Sequence, residues 1–325
     1  MNNTNTIQSS VPVTASTHLL DKYVLPKVAL TVISIASFVG VWLTMTTHGA
    51  GAWLQVIPRW LHLVSFAFLA GGTMWKALFT EPAERPEHRS AFARFTTGEF
   101  ARFRKLMQFA LPVFILTAGY DLLRFARWGI AGGLVWFEAI LLAAIALAAG
   151  FDIFRRVKPD DPFSERLTAR LLLALLVINA FVQATFDVFL TQGGQPLPLL
   201  VRGIHLAAFS LWFGGAVWNI FITVPAARSI VSLPVVLAAS QQLERFRVAV
   251  RIILPTLIVT GLIQAYRYVG LSFTALTTST FGLLILTKIL LVGVLIVVFI
   301  TCPMWRACSP ISGMCKIDDL YQKDA

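Results

Sequence analysis

His62 and His205 stand 143 positions apart, and each follows an arginine by three residues and precedes a phenylalanine by four. Positions i−3, i and i+4 share one face of a helix. Arg59, His62 and Phe66 therefore form a stripe of guanidinium, imidazole and aromatic ring, and Arg202, His205 and Phe209 form a second. The surrounding stretches, 59–83 and 202–226, match without a gap at 10 of 25 positions, among them Gly71-Gly72 with Gly214-Gly215 and Trp75 with Trp218. At the same offset Arg102-Phe103-Arg104 matches Arg245-Phe246-Arg247, and Leu111-Pro112 matches Leu254-Pro255. A duplication that supplies one imidazole from each half predicts a two-histidine metal centre where the halves meet.

The elements that must hold these stripes lie in lipid. The chain is 57% hydrophobic and 13% charged, where a soluble domain carries about a quarter charged residues. Apolar runs long enough to cross a hydrocarbon core about 30 Å thick recur near 24–46, 56–79, 106–124, 130–151, 168–190, 200–224, 249–269 and 279–301. Their period is helical, which disfavours a barrel. The expected fold is all-α, a polytopic membrane bundle of eight transmembrane helices arranged as two parallel four-helix repeats. Residues 1–23 read as a disordered cytoplasmic tail, 24–154 as the first repeat and 155–167 as a cytoplasmic linker. Residues 168–301 read as the second repeat and 302–325 as a cytoplasmic C-terminal tail.

Lysine and arginine concentrate after the second, fourth and sixth spans, for example at Arg85, Arg89, Arg94, Arg102, Arg104, Lys105, Arg155, Arg156 and Lys158. By the positive-inside rule both termini face the cytoplasm of a bacterial-type inner membrane. His62 and His205 then lie one to two turns inside the outer face. The net charge of +11 reads as loop charge near anionic lipid, not as a nucleic-acid surface. No catalytic triad, phosphate loop, zinc spacing or nucleotide fingerprint is present, so hydrolytic and ATP-driven chemistry are unsupported.

Two chemistries fit the stripes. A b-type haem standing between the halves takes His62 and His205 as axial ligands and Phe66 and Phe209 as walls. Arg59 and Arg202 would then meet its propionates. That reading makes the chain a cytochrome exchanging electrons near the outer face with a quinone, a periplasmic redox protein or a copper ion. Copper is the alternative, because imidazole and thioether suit it. His48 and Met45 would join His62 and His205, and Cys302, Cys308 and Cys315 offer a separate cytoplasmic thiol site, whereas Met74 and Met107 read as space filling. A third reading is a non-redox scaffold subunit of a larger membrane complex.

Other polar residues carry lesser expectations. Asn179, Gln183 and Asp187 recur every four residues and read first as interhelical hydrogen bonding, second as a proton relay. Asp121 and Gln264, near Arg124 and Arg267, read as outer-surface pairs or caps. Glu138 and Lys288, lone charges inside apolar runs, are candidates to pair across the repeat interface. Trp75 and Trp218 read as interfacial anchors. His18 and His88 lie in polar segments.

The residues Trp60, His62-Leu63, Phe66, Gly71-Gly72 and Trp75, repeated from His205-Leu206 to Trp218, resemble the copper resistance D (CopD) membrane family. They are also similar to the HemJ-type four-helix membrane proteins. The resemblance covers spans 2–3 and 6–7. It implies copper uptake or handling across the inner membrane on the first count, and haem b with a role in protoporphyrinogen oxidation on the second. Position by position it implicates His62 and His205, with Arg59 and Arg202 in support.

Overall fold

The computed structural model describes residues 24–47, 53–83, 85–127, 132–155, 161–192, 195–230, 232–270 and 272–301. The helices are α1 (Val24–Thr47), α2 (Trp53–Met74), α3 (Arg89–Arg127), α4 (Gly132–Phe154), α5 (Arg166–Gln192), α6 (Pro196–Trp218), α7 (Val224–Arg228), α8 (Leu233–Val269), α9 (Phe273–Thr278) and α10 (Thr280–Thr301). No strand occurs among the described residues. Among the described residues, eight helices, all but the short α7 and α9, are long and apolar enough to cross a membrane. The all-α membrane bundle expected from the sequence is therefore present.

Two spans are much longer than hydropathy suggests. The third apolar run was expected from residue 106 and the seventh from 249, yet α3 starts at Arg89 and α8 at Leu233. At about 1.5 Å per residue, the 39 residues of α3 reach about 58 Å, well beyond a hydrocarbon core. The added turns are amphipathic. Phe92, Phe95, Glu99, Phe100 and Phe103 fall on one buried face of α3, while Arg94 and Arg102 lower the local hydropathy. Phe92 and Phe95 pack with Ala226, Ala227, Val235 and Val236, which joins the early turns of α3 to α7 and α8. The far end of α8 stops at Gly270, whose φ of 63° suits a residue without a Cβ.

Helices α2 and α6 are the most enclosed of the eight. Their backbones touch: a methyl group placed on Gly71 would lie 2.5 Å from Gly214 Cα, and one on Gly214 would lie 2.6 Å from Gly71 Cα. The neighbouring glycines receive rings instead, Gly72 from Phe103 and Gly215 from Phe246. Both helices then loosen into π-helical turns, Trp75–Phe79 and Asn219–Thr223.

This close approach overturns the expectation that Trp75 and Trp218 are interfacial anchors. Both indoles are fully buried and stack on each other with centroids 6.1 Å apart. Phe246 lies against Trp75 and Phe103 against Trp218, each at 5.1 Å. Gln242 joins the cluster by accepting from Trp75 Nε1 at 3.0 Å and donating to Glu99 Oε2 at 2.9 Å. Glu99 Oε1 accepts from the Thr223 hydroxyl at 2.7 Å. The aromatic ring that would anchor a helix in the headgroup layer is here used to fill the space opened below a glycine contact.

Gly71→Leu forces the two backbones apart and is expected to cost at least the 1–3 kcal/mol typical of overpacking (about that range). Gly119→Ala, whose added methyl meets nothing within 4 Å, serves as the control and leaves the melting temperature in detergent nearly unchanged. Equal melting temperatures for the two variants would refute the tight α2–α6 seam.

Candidate functional site

The two arginines of the histidine stripes are joined through one carboxylate. Arg59 on α2 donates from Nη2 to Asp187 Oδ1 at 2.9 Å. Arg202 on α6 donates from Nε and Nη2 to Asp187 Oδ2 at 3.0 and 2.9 Å. Arg59 Nη1 also donates to Asp121 Oδ2 and Gln183 Oε1, both at 2.8 Å. Arg202 Nη1 reaches Gln264 Oε1 at 3.2 Å. Gln183 donates onward to Glu138 Oε1 at 2.7 Å, where Asn179 also donates at 2.8 Å. The result is a continuous polar chain from α8 through α6, α5 and α2 to α3 and α4.

Several expectations change as a consequence. Arg59 and Arg202 were assigned to propionates, but their donors already engage Asp187, Asp121, Gln183 and Gln264. Asp121 was placed in an outer-surface pair; it is buried and joins Arg59 as well as Arg124, the latter at 3.5 Å. Glu138 and Lys288 do not pair, since Glu138 binds the amides of α5 and Lys288 lines a cavity beside His205. The interhelical reading of Asn179, Gln183 and Asp187 agrees with these bonds. Sequence reasoning missed Asp187 as a bridge between the arginines. The signal was its place in the four-residue polar recurrence of α5, one turn beyond Gln183.

Each histidine is held by a threonine of the next long helix. His205 Nδ1 lies 2.8 Å from Thr260 Oγ1, and His62 Nδ1 lies 3.4 Å from Thr117 Oγ1. Thr117 and Thr260 are themselves 143 positions apart. A threonine hydroxyl has one proton to give. Thr260 donates it to Thr256 O at 2.6 Å and Thr117 to Val113 O at 2.7 Å. The hydroxyl oxygens are then left to accept from Nδ1–H, so Nε2 is the ring nitrogen that this contact leaves open. A histidine that donates its other ring N–H to a fixed acceptor is oriented as metal-ligating histidines are.

The surroundings of the two rings differ. His62 is buried, stacked on Phe114 at 5.1 Å with Phe66 beyond at 6.5 Å. His205 is half-buried and lines a cavity of about 430 Å³ with Arg202, Gln264 and Lys288. Phe209 stacks on Phe213 at 5.7 Å and lines a smaller adjoining pocket. No ring contact joins His62 to His205 among the described residues, and these include no cluster of three or more His, Cys, Asp or Glu able to hold a metal. Met45 of the alternative copper set is buried in an apolar cluster with Val41 and Val56, and Met74 and Met107 are buried as filling. His18, His48, Cys302, Cys308 and Cys315 lie outside the described residues.

A second ionic cluster ties the π-helical turn after α2 to α3, α4 and the turn before α5 at the other end of the bundle. Lys76 Nζ meets Asp152 Oδ1 at 2.5 Å and Glu165 Oε2 at 2.6 Å, and Arg104 Nη2 meets Glu165 Oε1 at 2.5 Å. Every charge here has an opposite partner, which is the arrangement a structural clamp requires.

Arg59→Met takes one partner from each of two buried carboxylates, Asp121 and Asp187, and is expected to destabilise the protein by up to about 3–5 kcal/mol. Arg202→Met costs less, because it takes a partner from Asp187 alone. Denaturant unfolding of both variants in detergent checks the order, and a reversed order removes Arg59 as the centre of the network.

Residues 240–308 match the family model described as Copper resistance protein D (CopD). The match covers most of α8, all of α9 and α10, and thus both Thr260 and Lys288. Neither the curated proteins nor the solved structures gave a match. The segment 240–308 of this multi-helix membrane chain is thus similar to the CopD family.

Proposed function

We propose that this copper-resistance-related membrane protein handles copper through the Nε2 atoms of His62 and His205. The observation that carries the reading is the repeated His–Thr pair, in which a hydroxyl already committed to a backbone carbonyl takes Nδ1–H and leaves Nε2 open. An open Nε2 is what a copper ion needs from an imidazole. Thr260 lies within the segment that matches the CopD model, which connects the family's copper link to the residue orienting His205.

The contacts between residues 143 positions apart, Gly71 with Gly214, Trp75 with Trp218 and Glu99 with Gln242, support two parallel four-helix repeats about an axis along the membrane normal. Repeats 24–154 and 168–301, flanked and joined by segments 1–23, 155–167 and 302–325, follow from that symmetry. The lysine and arginine distribution supports cytoplasmic termini in a bacterial-type inner membrane, with the histidines toward the outer face. A periplasmic copper protein is the natural donor or acceptor in this arrangement.

A second reading is a b-type haem with His62 and His205 as axial ligands and electron transfer to a quinone or periplasmic partner. The apolar cavity against His205 favours it; the engagement of Arg59 and Arg202 by Asp187 counts against it. When bound, the haem would supply one-electron chemistry, while His205 would bind and orient it and the aliphatic wall would exclude water.

Copper binding to the purified protein separates these readings. We expect copper by metal analysis, a loss of binding in His205→Ala, and a weakening of roughly 10–100-fold in Thr260→Val, as for removal of a ligand's hydrogen-bond partner. A reduced-state Soret band that vanishes in His62→Ala and His205→Ala would instead establish the haem. Absence of both, in folded protein, leaves the scaffold role.

A further inference from the structure

The cavity beside His205 is charged at one end and apolar along the rest. Three cations, Arg202, Arg267 and Lys288, line it against one carboxylate, Asp187, which already accepts from Arg59 and Arg202. Lys288 makes no ion pair with a described carboxylate. Its ammonium lies over bare backbone, since a methyl on Gly40 would stand 3.2 Å from Lys288 Nζ. The remaining wall is mostly aliphatic, from α8 and α10, and the volume of about 430 Å³ lies in the range of ligand pockets, roughly 300–1,000 Å³. Ile145, 143 positions before Lys288, is fully buried in the core. The first half fills with an aliphatic side chain the place where the second half opens a cavity with an amine.

A lysine inside a spanning helix is expensive unless something neutralises it, and such residues mark ligand sites. The Lys288 ammonium, which has no ion pair with a described carboxylate, favours an anion at this end. The aliphatic continuation favours an anion that carries its own hydrocarbon. We infer that the cavity binds an anionic phospholipid, with the phosphate at Lys288 and an acyl chain along α10. The site shares the His205 cavity with the copper reading but needs neither metal nor His62.

The test is lipid binding to the full chain, delipidated in a zwitterionic detergent and free of copper. Dioleoyl phosphatidylglycerol and dioleoyl phosphatidylcholine are titrated separately, with retained lipid counted by native mass spectrometry. One phosphatidylglycerol per chain is expected, bound about tenfold more tightly than phosphatidylcholine, a ratio near that given by one or two cations at a lipid surface. Lys288→Met abolishes the preference and Lys288→Arg keeps it, while Gly40→Ala, which crowds the ammonium, weakens it. Inorganic phosphate does not displace the lipid. Equal affinity for the two lipids, an unchanged preference in Lys288→Met of wild-type melting temperature, or displacement by inorganic phosphate alone overturns the inference.

Discussion

Asp187 sits between two guanidiniums, and the placement of the central helices follows from that arrangement. Burying a carboxylate in a membrane bundle is costly unless its oxygens are occupied. Here each oxygen is taken by a different arginine, Oδ1 by Arg59 from α2 and Oδ2 by Arg202 from α6. The planar fork of arginine lets each cation serve further acceptors at the same time. Arg59 uses its remaining donors on Asp121 and Gln183, and Arg202 uses one on Gln264. Five helices are thereby fixed around one residue of α5. The glycine seam between α2 and α6 fixes the same pair of helices deeper in the bundle, so their rotation is set at two levels.

That double constraint decides where the histidines face. One turn from its arginine, each ring is turned toward the helix that follows, where Thr117 or Thr260 receives Nδ1. The threonine proton is spent on a backbone carbonyl one turn back, so the acceptor role of its oxygen is fixed. The partner that each Nδ1 meets is thus set outside the ring, by helix geometry. What surrounds the rings has diverged. His62 is enclosed by Phe66 and Phe114, whereas His205 borders a cavity that Lys288 and Arg202 make positive at one end.

The early turns of α3 and α8 illustrate why apolar length alone underestimates a helix. Arg94, Arg102 and Arg104 interrupt the hydropathy of α3, yet Phe92, Phe95, Phe100 and Phe103 keep a buried face along it. Lys76 is a similar case. A lysine at the end of an apolar run suggests a residue reaching for water, but this one is fully buried between Asp152 and Glu165. The neutralising groups come from α4 and from the turn before α5, far away in the chain.

Composition and periodicity by themselves determined that the chain is a bundle of eight apolar helices, because only a helix satisfies its backbone in lipid by local bonds. The gapless repeat likewise singled out the arginine–histidine stripes and the glycine pairs, since helical spacing is a local property. The tertiary structure alone decided which groups meet. It gave Arg59 and Arg202 to Asp187, turned Trp75 and Trp218 from anchors into a buried stack, and separated Glu138 from Lys288. Such pairings depend on the rotation of each helix about its axis and on its neighbours across the bundle. Those are set by the sum of many packing and charge contacts between distant segments, and no local pattern encodes them.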